Sequence, residues 1–177
     1  LAPALGNALE VAVCMEVLSG NRDAAPRLTE LTLALGAQLL DLAGVSDGAA
    51  RLDAALSSGA AMTAFAAMIA ALGGPPDMAD DWHTHLPMAP IVGDVTASTA
   101  GHITAINGEA LGLIVVGMGG GRRVETDQID PAVGLGNVVM LGDKIERGQP
   151  LATIHARTED DAEAAALAVR KAVTIGA

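Results

Sequence analysis

A change of texture near the middle of the chain most constrains its fold. Residues 1 to about 74 are rich in Ala and Leu with helical periodicity. Residues from about 91 to 156 are rich in Val, Ile, Gly and Thr, with turn signals roughly every ten residues. A Pro-containing stretch, Gly73 to Pro90, joins the two. Helices first and strands second predict an α+β fold, since each apolar face must be buried against a neighbouring layer.

The first half predicts four helices. Segment 5–18 stops before Ser19-Gly20, and segment 26–43 starts with Pro26 in its first turn and closes at Gly44. In that second helix Leu28, Leu31, Leu35, Leu39 and Leu42 recur at three- and four-residue steps, which makes one apolar stripe. Asp47 is placed to cap a short helix through Leu56, and a fourth helix runs from about Ala60 to Leu72. The second half predicts strands at 91–97, 101–106, 111–117, 137–140 and 151–156. A last segment, Asp160 to Ala172, reads as a helix with acids at its start and Arg170 and Lys171 at its end, the order that suits the helix dipole.

Composition excludes several classes of function. The chain has 177 residues, 51% of them apolar and 18% charged, which supplies a core and argues against disorder. Aromatic residues are 1%, too few for the stacking platforms of single-strand nucleic-acid binders. A net charge of −11 repels phosphate backbones, so no nucleic-acid partner is expected. One cysteine excludes an internal disulfide and a cysteine-based zinc site. No apolar run reaches the roughly 20 residues of a membrane span, so no membrane partner is expected, and no signal-peptide pattern is seen.

Met118-Gly119-Gly120-Gly121-Arg122-Arg123 is the most distinctive local feature. A glycine run followed by two arginines can offer backbone N–H groups and positive charge to an anion. The competing reading is a glycine turn between strands, with the arginines paired to Asp127 or Asp130. His83 and His85 flank Thr84 in a Pro-flanked linker, where a solvated pair is expected rather than a metal site. His155 is expected to be structural, His102 exposed at a hairpin, and Cys14 a small buried hydrophobe. Glu159-Asp160-Asp161 reads as a solvated helix start. No Gly-x-Ser-x-Gly elbow occurs, and no Ser/His/Asp set is placed by spacing. Gly142-Asp143 and Gly148-Gln149 frame short strands, as in biotinyl- and lipoyl-carrier domains. The segment 104–109, read as a hairpin, has no Lys to modify, and Lys144 directly follows the Gly-Asp turn. The likeness is therefore to a barrel-sandwich architecture and not to a carrier role.

Taken in order, these stretches resemble the pyrimidine nucleoside phosphorylase family, its thymidine phosphorylase branch most closely. The matching pieces are Leu5-Gly6-Asn7-Ala8-Leu9-Glu10-Val11, Leu28-Thr29-Glu30-Leu31, Gly59 to Met68, Gly73-Gly74-Pro75 and Leu86-Pro87. From Ile91 onward they include Met118 to Arg123, Asp127, Ile129-Asp130, Val133-Gly134, Gly142-Asp143 and Leu151 to His155.

The resemblance implies phosphorolysis of thymidine to thymine and 2-deoxyribose 1-phosphate, in a cytoplasmic homodimer whose substrates are a pyrimidine nucleoside and inorganic phosphate. It implies that this chain is the C-terminal portion of a longer protein. Residues 1–88 would then be the helical part of a central α/β domain plus a linker, and 89–177 the C-terminal domain. In that setting the fold is α/β overall, with an antiparallel barrel-sandwich or hammerhead-like second half and a terminal helix.

The family's phosphate-binding Lys-His-Ser-Thr-Gly-Gly string does not occur here, and no catalytic residue is carried over. Gly119, Gly120, Gly121, Arg122 and Arg123 correspond to a lid over the cleft. No cofactor is implied beyond the co-substrate phosphate and a K⁺ held in several members by backbone oxygens and a Glu. The oxygens fall at Leu1 and Ala4, and the Glu position is taken by Val13, which has no side-chain oxygen. Other readings left open are a non-catalytic binding or assembly module and a related nucleoside or nucleotide phosphorylase.

Overall fold

The structure is a computed structural model, and it describes residues 3–176. The chain divides into two compact units, one built on Val11–Leu86 and the other on Pro3–Glu10 together with the residues from Pro87 onward. Helix α1 (Asn7–Leu18) gives its first residues, through Glu10, to the second unit and the rest to the first.

The first unit is helical: the remainder of α1, a 3-10 turn at Arg22–Ala24, then α2 (Pro26–Leu42), α3 (Gly48–Ser57), α4 (Ala60–Ala71) and α5 (Met78–His85). Met15, Met78 and Trp82 form its buried centre, with Met62, Phe65 and Ile69 packed against them. Arg22 binds the Asp53 carboxylate at 2.6 Å and the Ser57 hydroxyl at 2.8 Å, which ties the 3-10 turn to α3. Cys14 is exposed, contrary to the expectation of a buried hydrophobe. Its neighbour Met15 faces the core, and consecutive helical residues point about 100° apart. The leucine stripe of α2 lies mostly on the surface, with exposure rising from 57% at Leu35 to 86% at Leu42.

Helix α5 falls in the stretch read as linker. Its prolines, Pro75 and Pro76, precede the first turn rather than interrupt it, and Asp81 carries a kink (φ −134°, ψ 37°) that blurs any periodicity.

Among the described residues the second unit contains two antiparallel three-stranded sheets, two whole helices and the start of α1. One sheet has the order β1 (Ile91–Thr96), β5 (Pro150–Ala156), β3 (Gly134–Gly136), and the other β4 (Lys144–Ile145), β2 (Gly101–Ile106), β6 (Val173–Gly176). In the first, Val95 pairs with Ala152 and Leu135 with Ile154, so alternate residues of β5 line the core. Helices α6 (Gly108–Gly117) and α7 (Glu159–Ala172) place Leu111, Val115, Ala165 and Val169 in the same cluster as Val95, Val133, Leu135 and Ile154. A second cluster joins Ala97, Ile103, Ile145, Leu151 and Val173.

Helices beside antiparallel sheets make the class α+β, as the texture of the sequence predicts. Helix α7 continues without a break into β6, which pairs with β2 (Ile106 opposite Val173). Thr158 caps α7, accepting the Asp161 N–H at 3.2 Å.

Two strand expectations are corrected. Residues 111–117 are helical, not extended. Asn107-Gly108 is a hairpin signal in strand context, but here the Asn107 side chain accepts the Ala110 N–H at 3.0 Å and starts α6, so 104–109 is no hairpin. Leu111, Val115 and Met118, three or four residues apart, are then all buried. The strand expected at 137–140 lies instead at 134–136. Asn137 has φ +48°, which takes the chain out of the extended region at that residue.

Segment Pro3–Gly6 runs beside β3. Leu5 and Leu135 exchange both backbone hydrogen bonds, each 2.8 Å. A Cβ on Gly134 would sit 2.3 Å from the Leu5 carbonyl oxygen, so only glycine permits this approach. The partner position, Gly6, needs φ +138° for the same contact.

Candidate functional site

The glycine run begins as the end of a helix. Helix α6 stops at Gly117, with Met118 buried as its C-cap. The Gly119 N–H donates to the Val116 carbonyl at 3.1 Å and the Gly120 N–H to Val115 at 2.9 Å. With Gly119 at φ +98°, this is a Schellman termination, which needs a residue without a Cβ at the left-handed position. The N–H groups of Gly119 and Gly120 are thereby occupied in closing the helix. A bound anion would be met by guanidinium groups rather than by these amides.

The loop that follows is closed at its base. The Asp130 N–H donates to the Gly119 carbonyl at 2.9 Å, and Asn7 donates its side-chain amide to the Gly120 carbonyl at 3.0 Å. Asp130 accepts from the Ala132 N–H at 3.0 Å and from Arg157 Nε at 2.9 Å. Burial pushes the Asp130 carboxyl upward, but the Ala132 N–H and Arg157 together hold it below its ordinary 3.8.

Nearer the tip, the Asp127 carboxylate accepts the backbone N–H groups of Arg123 at 2.9 Å and Val124 at 3.1 Å. These two bonds, that from Arg123 first, hold its carboxyl below 3.8.

The two arginines therefore have only weak protein partners. Arg122 donates Nε to the Asp127 carbonyl at 3.2 Å, and Arg123 reaches the Gly117 carbonyl at 3.5 Å. Among the described residues no carboxylate forms an ion pair with either, so the pairing expected as the competing reading is not formed. Asp127 is engaged by amides, and Asp130 by Arg157. Both arginines are exposed.

A polar concavity of about 250 Å³ lies at the loop, lined by Gly117, Gly119, Gly121, Arg123, Asp127 and Gln128. A larger groove of about 460 Å³ runs between α6 and α7 past Leu113, Ile114, Met118 and Ala165, with Arg123 on its edge. Its walls are mostly apolar, with Arg123 and Asp161 the charged residues among them.

The other candidates do not converge. His83 and His85 are exposed on α5. Residues two apart on a helix do not face each other, and each ring has its own neighbour: His83 stacks on Trp82 and His85 meets Asp77 at 2.8 Å. His102 is exposed on β2. His155 is half-buried on β5, and desolvation pushes its pKa below 6.5. No group of three or more His, Cys, Asp or Glu that could hold a metal ion occurs among the described residues.

For the K⁺ set implied by the family, Leu1 lies outside the described residues. Ala4 is buried, and Val13 is a half-buried hydrocarbon with no side-chain oxygen to give. The contact of Asn7 with Gly120 is not legible in the sequence, because the two lie 113 residues apart.

Residues 102–176 match the family described as "Pyrimidine nucleoside phosphorylase C-terminal domain". Along its length the chain is similar to the protein named "Thymidine phosphorylase" in Burkholderia cenocepacia (strain HI2424) and in Burkholderia orbicola (strains MC0-3 and AU 1054). Each is 44% identical over 180 residues, which is 99% of this chain and 41% of the relative. The chain thus spans about two fifths of the length of these relatives. Residues 102–176 thus belong to the pyrimidine nucleoside phosphorylase C-terminal domain family, and the chain over its whole length is similar to proteins that carry that domain.

Proposed function

We propose that this chain is the scaffold-and-lid portion of a thymidine phosphorylase. In the longer protein, thymidine and inorganic phosphate would give thymine and 2-deoxyribose 1-phosphate. The loop from Gly119 to Arg123 would be the part of this stretch that approaches the substrates. The observation that carries the reading is a pair of adjacent exposed arginines, Arg122 and Arg123, without a carboxylate ion pair among the described residues, the second of them lining a polar hollow in an otherwise acidic chain.

Phosphorolysis places negative charge on phosphate and on the departing base while the sugar becomes cationic, so it needs donors fixed around both anions. Two arginines can screen and steer phosphate. They do not supply a group that polarises the pyrimidine, and Thr126 is the one hydroxyl residue between Gly119 and Asp130. The chain alone is therefore expected to be inactive. No cation enters this reading. The longer protein is proposed to act as a cytoplasmic homodimer with neither nucleic acid nor membrane as partner; among the described residues no single helix is long and apolar enough to cross a membrane.

The test is to incubate pure chain with thymidine and phosphate and follow thymine release, alongside a polypeptide of the relatives' full length. No turnover by the chain and turnover by the longer protein supports the reading. Turnover by the chain alone sinks it. A second reading, an assembly module without chemistry, is favoured by the exposed Leu35, Leu39 and Leu42 on α2. It predicts that the longer protein is inactive as well.

A further inference from the structure

The two arginines sit on a loop whose base is closed by the Asp130–Gly119 hydrogen bond, yet closure at the base does not set the direction of residues three and four positions on. Within the loop, a single side chain reaches back to do that. The Asp127 carboxylate accepts from both Arg123 and Val124, and its own carbonyl accepts Arg122 Nε. Three consecutive residues are thus tied to one aspartate through two amides and one guanidinium nitrogen. The two amide bonds end on the carboxylate and are charge-assisted, the stronger kind per contact, while the Arg122 bond to the carbonyl is longer at 3.2 Å.

The Arg122 bond uses Nε, and among the described residues the outer nitrogens of its guanidinium make no hydrogen bond within the protein. We propose that Asp127 is a positioning residue. By gathering the N–H groups of Arg123 and Val124 it fixes the loop backbone in the form that turns Arg122 and Arg123 toward an anion. This rests on the proposed anion-facing role of the loop only for its purpose; the positioning itself is a property of the free chain.

The arrangement has an unusual sign. An aspartate beside an anion site should weaken binding by repulsion, and its removal should strengthen it. A positioning aspartate does the reverse, because without it the arginines are no longer held in place. A neutral acceptor of the same shape separates the two effects, since Asn can accept through Oδ1 without carrying charge. Around Asp127 the charged groups are Arg122 and Arg123, with Glu125 the other acid of the loop. No other element places a charged side chain in hydrogen-bond or ion-pair contact with it among the described residues.

The experiment compares the chain with Asp127→Ala and Asp127→Asn by amide hydrogen exchange and by NMR titration with inorganic phosphate. Exchange at Val133 and Ile154 serves as the control for an intact core. Asp127→Ala is expected to speed exchange at Arg123 and Val124 by about tenfold or more, and Asp127→Asn by less than about threefold. Exchange in Asp127→Ala within about twofold of the parent overturns the proposal.

If a variant loses its core protection, the parent chain still decides. Its Arg123 and Val124 amide shifts must move together with the Asp127 carboxyl in an acid titration, and shifts that ignore that carboxyl overturn the proposal. With phosphate, the Arg122 and Arg123 signals should respond more weakly in Asp127→Ala than in the parent, and no more weakly in Asp127→Asn. Tighter phosphate binding in both variants would make Asp127 a repelling charge and refute its positioning role. A parent chain blind to phosphate defeats the anion-facing reading of the loop, and the exchange rates still judge Asp127.

Discussion

At the scale of single residues, acids and a histidine divide the pH response of the second unit between them. His155 is half-buried on β5, and desolvation lowers its pKa below 6.5. The unfolded chain therefore binds the proton more readily than the folded one. The contribution of His155 is fully present above 6.5 and is lost as the pH falls through the lower folded value. Asp127 and Asp130 are also lowered, but from 3.8, so their contributions are present above 3.8 and disappear only in stronger acid. The two windows open at different points, one below 6.5 and the other below 3.8. His155→Gln is expected to flatten the fall in melting temperature just below pH 6.5 and to leave the limb below 3.8 in place. Thermal melts across that range check it, and an unchanged slope in the upper window would remove His155 from the account. None of this was legible in the sequence beyond the expectation that His155 is structural. Desolvation depends on what packs over β5, and that is a tertiary fact.

At the scale of elements, α6 is the most informative. Its Ile114-Val115-Val116 run favours a strand by propensity, and the Asn-Gly before it fits a hairpin turn. Propensity is a weak prior that packing overrides. As a helix the segment buries Leu111, Val115 and Met118 in the sheet's cluster, and Asn107 provides the start. Asn107→Ala is expected to cost about 1 kcal/mol, the usual worth of an N-cap, read from chemical denaturation of the chain. A cost near zero would mean that packing alone fixes where α6 begins. The C-terminal end of the same helix was half visible. The glycine run announces a left-handed position, but only the bonds to Val115 and Val116 show that its first two amides are committed to the helix. The turns at Gly142-Asp143 and Gly148-Gln149 were readable because they are local. Asp143 and Gln149 accept the Met140 and Glu146 N–H groups at 2.7 and 2.6 Å, bonds that span three residues.

At the scale of the whole molecule, the two units bury their apolar residues to different extents. In the second, Val95, Val133, Leu135, Ala152, Ala156 and Val169 are all but inaccessible, and the β1–β5–β3 sheet shares that cluster with two helices. In the first, α2 buries only Thr29 and α4 buries no residue fully, while Leu39, Leu42, Met68 and Leu72 are exposed. Local opening is easiest where few apolar contacts are lost. Amide exchange is therefore expected to be slowest in β5 and α7 and faster by about a hundredfold or more in α2 and α4. Equal protection in both would mean that the exposed faces are covered in solution, for instance by association.

The sequence by itself determined the helical and stranded halves, the local turns, the polarity of α7 and the ordered motifs of a phosphorylase family. Each of these is written in residues close together along the chain. Only the tertiary structure decided that 108–117 is a helix, that Leu5 pairs with Leu135, that Asp130 belongs to Arg157, and that the Asp127 carboxylate holds amides rather than guanidinium groups. Those outcomes turn on which groups meet across long separations, where burial and competition for hydrogen-bond partners outweigh what any short segment prefers.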